Sequence, residues 1–424
     1  MVHKKMEREL LMAEFIFYII IAILVFDYIL ERLLDYLNSR LWSYDLPVEL
    51  QGIYDAGKYR KSQDYTRTNT RFSIYSDTVS FVAMMLMLLL GGFAFLDSSV
   101  WSVTTNPILM SLMFFGILAL ASDLIGLPFS IYGTFVIEEK FGFNRTTART
   151  YIMDKVKGLL LSALIGGGLL SLIVWIFMMT GPWFWLIAWG VITAFTLFMF
   201  MFYSNLIVPL FNKQTPLDEG PLRDAIEGFS VRVGFKLKNI YVIDGSKRSS
   251  KANAYFTGLG AKKRVVLYDT LIDEHSTEEL VAVLAHEIGH YKKKHTIAGV
   301  IISILQTGLM LFILSLFIDK PVLSEALGAE HPSFHMSLIA FGLLYSPLSL
   351  ILGMLGNTLS RKNEYAADRY AGVNYNSEAL AEALKKLSVN NLSNLRPHPV
   401  YVFFYYSHPP LLKRLEALKK IGAG

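Results

Sequence analysis

The sequence predicts a polytopic α-helical membrane protein that also carries a polar unit of mixed helix and strand. Hydrophobic residues make up 53% of the 424 residues, charged residues make up 18%, and the mean hydropathy is +0.41. Soluble globular proteins carry about 25% charged residues, so a large part of this chain is suited to a lipid environment. Seven separate apolar stretches also come close to the length of about 20 residues that crosses a bilayer.

The predicted spans fall into a group of five and a group of two. The first begins after Lys4, Lys5 and Arg8, but its apolar part is too long for a signal peptide and no small-residue cleavage site follows, so it is predicted to be an anchor. The fourth and fifth are joined by a Gly-Pro turn. The predicted spans are 11–30, 79–96, 107–131, 158–180, 183–206, 297–318 and 334–355.

Lysine and arginine are concentrated in alternate loops, namely those after the first, third, fifth and seventh spans. The positive-inside rule therefore places 31–78, 132–157, 207–296 and 356–424 in the cytoplasm. An odd number of spans then leaves the N-terminus outside, which the basic residues at its start argue against.

The same pattern divides the chain into four parts. Residues 1–206 contain the first five spans and their loops, and 297–355 contain the last two. The polar stretches 207–296 and 356–424 are each small for a domain. We expect them to combine into one unit at the cytoplasmic ends of the helices.

Charge and cysteine content exclude several classes of function. The net charge is +5, from 40 Lys and Arg against 35 Asp and Glu, which is too small and too scattered for nucleic-acid binding. The chain has no cysteine, so disulfides, thiolate metal sites and cysteine nucleophiles are excluded. Any metal ion must be held by His, Asp or Glu.

The first polar stretch changes from a strand pattern to a helix pattern. The runs IYVI, NAYFTG and RVVLYD within 240–270 are short, β-branched or aromatic, and typical of strands. Ser276 and Glu279 then form a capping-box pattern, which predicts the start of a helix. The apolar spacing predicts that this helix runs through ELVAVLAHEIGHYKKKH.

A metal-binding pattern lies on that predicted helix. His286 and His290 are four residues apart, so both imidazoles face the same side and can bind one ion. Glu287 is rotated by about 100° and can face a water molecule without binding the metal. Gly289 leaves room for a close backbone or substrate. The alternative is a pair of surface histidines on an amphipathic helix.

A catalytic zinc site needs a third protein ligand and an open position. Glu364, in a helical segment that continues the seventh span, is the best candidate, and Asp368 lies one turn further on. Asp368 can accept the second N–H of a ligating imidazole and fix its tautomer. The alternative is an exposed helix on which both carboxylates pair with Arg361 and Arg369.

This residue set predicts peptide hydrolysis with one zinc ion per chain. Zinc lowers the pKa of bound water toward about 7 and polarises a carbonyl group. Glu287 then acts as general base and passes the proton to the leaving amine. A histidine or tyrosine of the C-terminal stretch is expected to stabilise the developing oxyanion.

Sequence blocks along most of the chain resemble the type I CAAX prenyl proteases, which are membrane zinc metalloproteases. The blocks appear in the same order as in that family, and the part of the chain that they span includes both groups of membrane helices. The blocks are EEKFGFNRTT at 138–147, PLFNKQTPLDEGPL at 209–222, KANAYFTG at 251–258, HEIGH at 286–290, NEYAADRYA at 363–371 and YSHPPLLKRLEAL at 406–418.

The resemblance implies seven helices that enclose a water-filled chamber, with a zincin-like α+β catalytic cap at its cytosolic end. It implies Glu364 as the third zinc ligand and Asp368 as the partner of a ligating histidine. His408 would contact the substrate or the transition state. Asn253, Ala254 and Tyr255 would lie on an edge strand that pairs with the substrate backbone.

The substrate and the membrane are left open by the sequence. The expected partners are a peptide or protein substrate, prenylated or not, and the lipid bilayer, and the oligomeric state is not determined. The membrane is that of the endoplasmic reticulum in a eukaryote, or the cell membrane in a prokaryote. Two alternatives remain: a quality-control metalloprotease of the heat-shock type, and a catalytically silent membrane scaffold or transporter.

Other polar residues receive structural interpretations. His295 is expected to point away from the ligand face and to be solvated beside the lysines at 292–294. Asp123 and Gln306 lie within predicted spans, where polar groups usually face a bundle interior, so both are expected to line a chamber or to pair helices.

Overall fold

The computed structural model describes residues 2–46, 48–235, 240–257 and 264–422. Gly258, the last residue of the KANAYFTG block, lies outside these ranges. The described residues form a helical bundle with a small sheet at one end. The helices are α1 Val2–Ser39, α2 Ala56–Leu89, α3 Gly92–Val103, α4 Pro107–Tyr132, α5 Ala148–Leu161, α6 Gly167–Thr180, α7 Phe184–Leu206, α8 Val208–Phe211, α9 Pro221–Arg232, α10 Asp269–Glu274, α11 Thr277–Lys292, α12 His295–Ser315, α13 Val322–Ala326, α14 Phe334–Ala371, α15 Ser377–Asn390, α16 Pro399–Tyr405 and α17 Leu411–Gly422. The strands are β1 Gln214–Pro216, β2 Ile240–Ile243, β3 Ala254–Thr257 and β4 Arg264–Tyr268.

Six helical stretches of the described chain are long and apolar enough to cross a membrane. The longest, Ala148–Phe211, contains a turn at Gly181–Trp183, where Gly181 has a φ of +49° and separates α6 from α7. The chain is therefore a polytopic helical membrane protein, whereas the number of seven spans stays a prediction. The six stretches are Leu10–Ser39, Ala56–Leu89, Pro107–Glu138, Ala148–Phe211, His295–Ser315 and Phe334–Asn390.

The predicted boundaries of the second span are wrong. The helix α2 ends at Leu89, and the expected span 79–96 runs across this end into α3. Gly91, with a φ of 68°, is in the left-handed region that glycine adopts without a Cβ clash. The chain turns there, so the helix that is long and apolar enough to span is Ala56–Leu89 and does not continue to residue 96.

The fold has two main hydrophobic cores. One lies among the membrane helices and contains fully buried rings such as Phe114 and Phe184. The other joins the sheet to α9, α11, α15 and α17 and includes Ile288 and Leu418. The second core takes residues from both polar stretches, as expected from their small size, and we call this unit the cap. The exact boundaries of the four predicted parts stay a prediction.

The cap sheet has the strand order β1-β2-β4-β3 in the described chain. Three of its four strands are those predicted from IYVI, NAYFTG and RVVLYD, whereas the short strand β1 was not predicted. The strands β2 and β4 are parallel, and β3 is antiparallel to β4, with Ala254 opposite Leu267 and Tyr255 opposite Val266. The strand β3 is therefore at an edge of the sheet, where its outer side has no strand partner among the described residues.

The segment that leads into β3 is tied to the loop that follows α4. Arg145 donates its backbone N–H to the Arg248 carbonyl at 3.0 Å, and the Ser250 N–H bonds to the Phe143 carbonyl at 3.0 Å. Thr146 Oγ1 adds a bond to the Arg248 carbonyl at 3.1 Å. Much of the EEKFGFNRTT block therefore fixes the cap to the membrane helices.

Lys251 forms the charged centre of this attachment. Its Nζ lies 2.8 Å from Glu138 Oε2 and 2.7 Å from the hydroxyl of Tyr65, and 4.4 Å from the centre of the Phe143 ring. Burial opposes the charge, but the bonds to Glu138 and Tyr65 outweigh it and raise the pKa of Lys251. The lysine therefore stays charged and links the cap to α2 and to the end of α4.

Replacing Lys251 by Met should lower the melting temperature of the protein. A hydrogen bond to a charged group contributes about 1.5–3 kcal/mol, and this change removes two such bonds and leaves Glu138 without its cation. The double exchange Lys251→Glu with Glu138→Lys restores opposite charges and should recover part of the loss. Lys385→Met, which removes a more exposed pair with Glu382, is the matched control and should change little. Equal melting temperatures for Lys251→Met and the control would rule out this attachment.

Candidate active site

The helix α11 begins with the predicted capping box. The backbone N–H of Ser276 donates to Glu279 Oε2 at 2.9 Å, and the N–H of Glu279 donates to Ser276 Oγ at 3.3 Å. These bonds satisfy backbone donors at the start of the helix. The next three turns are almost entirely buried, so the HEIGH residues lie on a rigid helix inside the cap.

Gly289 allows α11 to pack closely against α14. A Cβ at this position would lie 3.1 Å from the Cα of Ala367 and 3.1 Å from the Cβ of Tyr370. This spacing is shorter than ordinary carbon contacts of about 3.5–4.0 Å. The space that the sequence suggested beside Gly289 is therefore filled by the backbone of α14.

The close packing brings three predicted ligands together. Nε2 of His286 lies 3.1 Å from Nε2 of His290, which lies 3.1 Å from Oε1 of Glu364. The other carboxylate oxygen, Oε2, lies 3.5 Å from Nε2 of His286. One donor atom from each residue falls within 4.8 Å of the others, and His286 and Glu364 are buried.

These residues fit a metal ion. Two ligands at about 2.0–2.1 Å from a tetrahedral ion lie roughly 3.3 Å apart, close to the separations seen here. Glu364 Oε2 is buried and accepts no hydrogen bond of good geometry within the described chain, although Arg414 Nη1 lies 3.3 Å from it, so this oxygen remains able to bind a metal ion. Imidazole nitrogens with a carboxylate oxygen are donors that suit a borderline ion such as zinc.

A second layer of buried charge holds this set in place. Oδ1 of Asp368 lies 2.9 Å from Nδ1 of His286, on the side of the ring away from the cluster. Arg414 donates to both oxygens of Asp368, at 2.6 and 2.8 Å, and its Nη1 lies 3.3 Å from Glu364. The alternative of an exposed helix is therefore wrong, since Asp368 has no exposed surface and Glu364 is 4% exposed.

Arg414 was not predicted, although it lies six residues beyond His408 in the SHPP block. Two carboxylates buried beside histidines require compensating positive charge. A search for the cation that balances Glu364 and Asp368 would have pointed to the basic residues of that block. Arg361, proposed as a pair for these acids, instead donates to the Val402 and Tyr406 carbonyls at 3.1 and 2.7 Å.

The charged surroundings also act on His286. Burial opposes its protonation, but the bonds with Asp368 and Glu364 outweigh this and raise the pKa of His286 to about 9. Without a metal, a proton on this ring therefore balances part of the carboxylate charge. A bound metal ion would take over that role.

The prediction for His295 is wrong. Its Nδ1 lies 3.1 Å from Nδ1 of His290, on the opposite side of that ring from the cluster. Lys294 between α11 and α12 has a φ of +59°, so the chain reverses direction there and returns His295 toward α11. His295 thereby holds the orientation of the His290 ring, a contact that helical spacing cannot show.

The two remaining predicted catalytic residues lie beside the cluster. Nε2 of His408 is 3.4 Å from Glu364 Oε1, and Ser407 Oγ is 2.9 Å from its Nδ1. The His408 side chain is 63% exposed, so it can also reach a substrate. Glu287 is half-buried, and its carboxylate is near enough to Arg414 to interact with it electrostatically.

The structure places the predicted substrate-binding residues at the sheet edge. Ala254 and Tyr255 are the first residues of β3, and exposed Asn253 directly precedes them. The Asn253 carbonyl accepts the Tyr268 N–H at 3.1 Å, and the Tyr255 hydroxyl accepts from Gln214 at 3.2 Å. Asn391 bonds to both backbone groups of Ala252 at 3.2 Å, which fixes the start of the edge.

A cavity of about 690 Å³ extends from the cluster between α12 and α14. Its lining includes His290 at one end and small or polar side chains along both helices, among them Gln306. Gln306 therefore lines a cavity, as expected. Asp123 instead forms an ion pair with Lys155 of α5, which is the expected pairing of helices.

Two family models match the chain in succession. The model for the CAAX prenyl protease N-terminal region, described as five membrane helices, matches residues 36–213. The model for peptidase family M48 matches residues 216–422. The boundary between them falls where α8 leads into the first strand of the cap.

Curated relatives match over nearly the whole chain. CAAX prenyl protease 1 homolog from Oryza sativa is 36% identical, over 94% of this chain and 96% of its own length. CAAX prenyl protease 1 from Saccharomyces cerevisiae is 35% identical over 91% and 90%, and the Homo sapiens homolog is 34% identical over 94% of each. The crystal structure of S. mikatae Ste24p superimposes with a TM-score of 0.91 at 35% identity, covering 95% of this chain and 99% of that one.

Replacing Gly289 by Val should weaken metal binding, because the branched side chain would push α11 away from α14 and separate the histidines from Glu364. Changes next to metal ligands typically reduce affinity by about 10–100-fold, and we expect a loss in this range. Zinc affinity is measured by competition with a chromophoric chelator. The control is Gly228→Val, because Gly228 lies within helix α9 of the cap and no atom lies within 4 Å of its Cβ position. Unchanged affinity in Gly289→Val would contradict the role of this contact.

Proposed function

The chain belongs to peptidase family M48, in its CAAX prenyl protease branch, and we propose that His286, His290 and Glu364 hold one zinc ion for peptide-bond hydrolysis. Membership of this family makes it a multi-pass membrane metalloendopeptidase. The convergence of one donor atom from each of the three side chains within 4.8 Å supports the assignment of the metal site. Family membership argues against a silent scaffold or transporter.

The residues around the metal have separate roles in this proposal. A bound zinc ion would acidify a water molecule and polarise the scissile carbonyl. Glu287 takes the proton of that water and delivers it to the leaving amine. Asp368 and Arg414 hold His286 in one tautomer, and His295 orients His290.

Two further groups act on the substrate. His408, beside Glu364 and open on its other side, donates a hydrogen bond to the substrate carbonyl as negative charge develops on it. The free edge of β3, with Asn253, Ala254 and Tyr255, pairs with an extended peptide backbone. Strand pairing recognises the peptide backbone in any sequence, so side-chain or lipid selectivity must come from elsewhere.

The proposed substrates are prenylated proteins ending in a CAAX motif, from which the enzyme removes the C-terminal tripeptide. The curated relatives are named for this activity. The cavity between α12 and α14 supports it, because it joins His290 to membrane helices and could hold a chain that is anchored in the bilayer. Quality control of damaged membrane proteins by the same chemistry is the alternative.

The active site is proposed to face the cytosol. The basic loop 132–157 is bonded to the cap through Arg145 and Arg248, the cap includes the basic stretch 207–296, and positive residues favour the cytoplasmic side of a membrane. The membrane would be the endoplasmic reticulum in a eukaryotic cell and the cell membrane in a prokaryote.

Glu287→Gln should retain one zinc ion per chain and lose hydrolysis. General-base catalysis contributes about 10²–10⁴-fold, so the rate should fall at least by this factor while the metal ligands are untouched. Zinc content is measured by elemental mass spectrometry and activity with a quenched fluorescent peptide. Glu382→Gln, at an exposed glutamate, should leave both unchanged. Loss of zinc from Glu287→Gln, or a normal rate, would contradict the assigned role.

A farnesylated CAAX peptide should be cleaved with a kcat/KM at least about tenfold higher than its unprenylated form, because the lipid binds the bilayer and the adjoining cavity. Mass spectrometry of the products should show release of the terminal tripeptide. Equal cleavage of both peptides, together with cleavage of an unrelated unfolded membrane protein, would favour the quality-control alternative.

A further inference from the structure

We propose that a basic cleft at the β1 side of the cap binds a phosphate group, namely that of an anionic phospholipid headgroup. The basic cleft is a depression of about 660 Å³ whose cations are Lys157, Lys213, Lys247 and Arg264. Three of these cations lie away from β3, whereas Arg264 is paired with Thr257 of β3, and the lining residue Gln214 bonds to Tyr255, so the cleft adjoins the proposed substrate edge.

The basic cleft lies where two membrane helices end. Lys157 is on α5, just before the apolar run that starts at Gly158, and its Nζ bonds to the Leu210 carbonyl at 2.6 Å. Lys247 of the cap approaches the neighbouring Phe211 carbonyl at 3.4 Å. Both ends of the apolar stretch Ala148–Phe211 therefore lie beside the cap at the same depth along the helix bundle. Lipid headgroups are expected at the depth where such an apolar stretch ends.

The four cations differ from their neighbours in having no carboxylate partner in the described chain. Close by, Lys155 pairs with Asp123, Arg248 pairs with Asp154 at 2.7 Å, and Lys251 pairs with Glu138 at 2.8 Å. The fold thus neutralises the surrounding basic side chains individually. The cations of the basic cleft form no such ion pair, although Lys157 and Lys247 interact electrostatically with nearby Asp154.

One carboxylate, Asp244, also lines the basic cleft. Its Oδ1 already accepts the backbone N–H of Lys213 at 2.8 Å and the side-chain amide of Asn212 at 2.9 Å. Four cations against one carboxylate leave a net charge of three positive units. An anion with more than one negative charge fits this balance better than a single carboxylate.

The basic cleft also retains free hydrogen-bond donors. A lysine ammonium has three donors, and Lys157 and Lys247 each use one on a backbone carbonyl. The guanidinium of Arg264 lies 4.6 Å from the centre of the Tyr241 ring, and such a contact uses its face and leaves its N–H groups available. Phosphate oxygens accept several such bonds at once.

The test measures binding of a phosphatidic acid with a fluorescent acyl chain to the full-length detergent-solubilised protein, by fluorescence anisotropy. Unlabelled phosphatidic acid should displace the probe, and phosphatidylcholine should not. Each basic residue near an anionic surface contributes about fivefold in affinity, so the double variant Lys213→Gln/Lys247→Gln should bind about 25-fold more weakly. The control Lys419→Gln/Lys420→Gln removes the same charge from exposed positions of α17 and should change affinity less than about twofold.

Peptide hydrolysis by both variants in phosphatidylcholine vesicles should equal that of the unaltered protein, which separates lost lipid binding from misfolding. Displacement of the probe by inorganic phosphate at equal concentration would support a phosphate site in the basic cleft. It would contradict the lipid headgroup as the ligand and favour a soluble phosphate. Equal weakening by the two double variants would overturn the proposal, as would equal binding of the two unlabelled lipids.

Discussion

The close contact between α11 and α14 at Gly289 is the constraint on which the proposed active site depends. One helix carries both histidines, and the other carries both carboxylates of the centre. Glu364 comes within 3.1–3.5 Å of the two histidines because residue 289 has no side chain where the α14 backbone crosses. The catalytic centre is therefore a property of one helix–helix interface, which joins the cap to the last membrane helix.

That interface buries charge, and the surrounding residues balance it. Glu364 and Asp368 bring two negative charges, while Arg414 supplies one fixed positive charge. The remaining charge is met by protonation of His286 in the metal-free protein, and by a divalent ion when one binds. Burial makes each unbalanced group expensive, so the site favours a bound cation over an empty state.

The connections between cap and membrane give the site its position relative to the bilayer. Lys251 anchors the entry to β3 on α2 and the end of α4, and Arg361 holds the segment that precedes His408. The proposed substrate edge and His408 are thus both attached to membrane helices. The basic cleft at the β1 side of the cap would add a third contact, between the cap and the lipid headgroups.

The sequence by itself determined the features whose cause is local. The capping box, the four-residue spacing of His286 and His290, and the strands of the cap follow from the periodicity of helix and strand. The apolar stretches likewise identified a membrane protein, although the break at Gly91 shows that hydropathy does not locate helix ends. Glu364 could be proposed as a ligand from the sequence because its segment continues a predicted membrane helix. Tertiary structure alone brought Arg414 to Asp368 and turned His295 back to His290, because contacts across a buried interface leave no periodic signal in the chain.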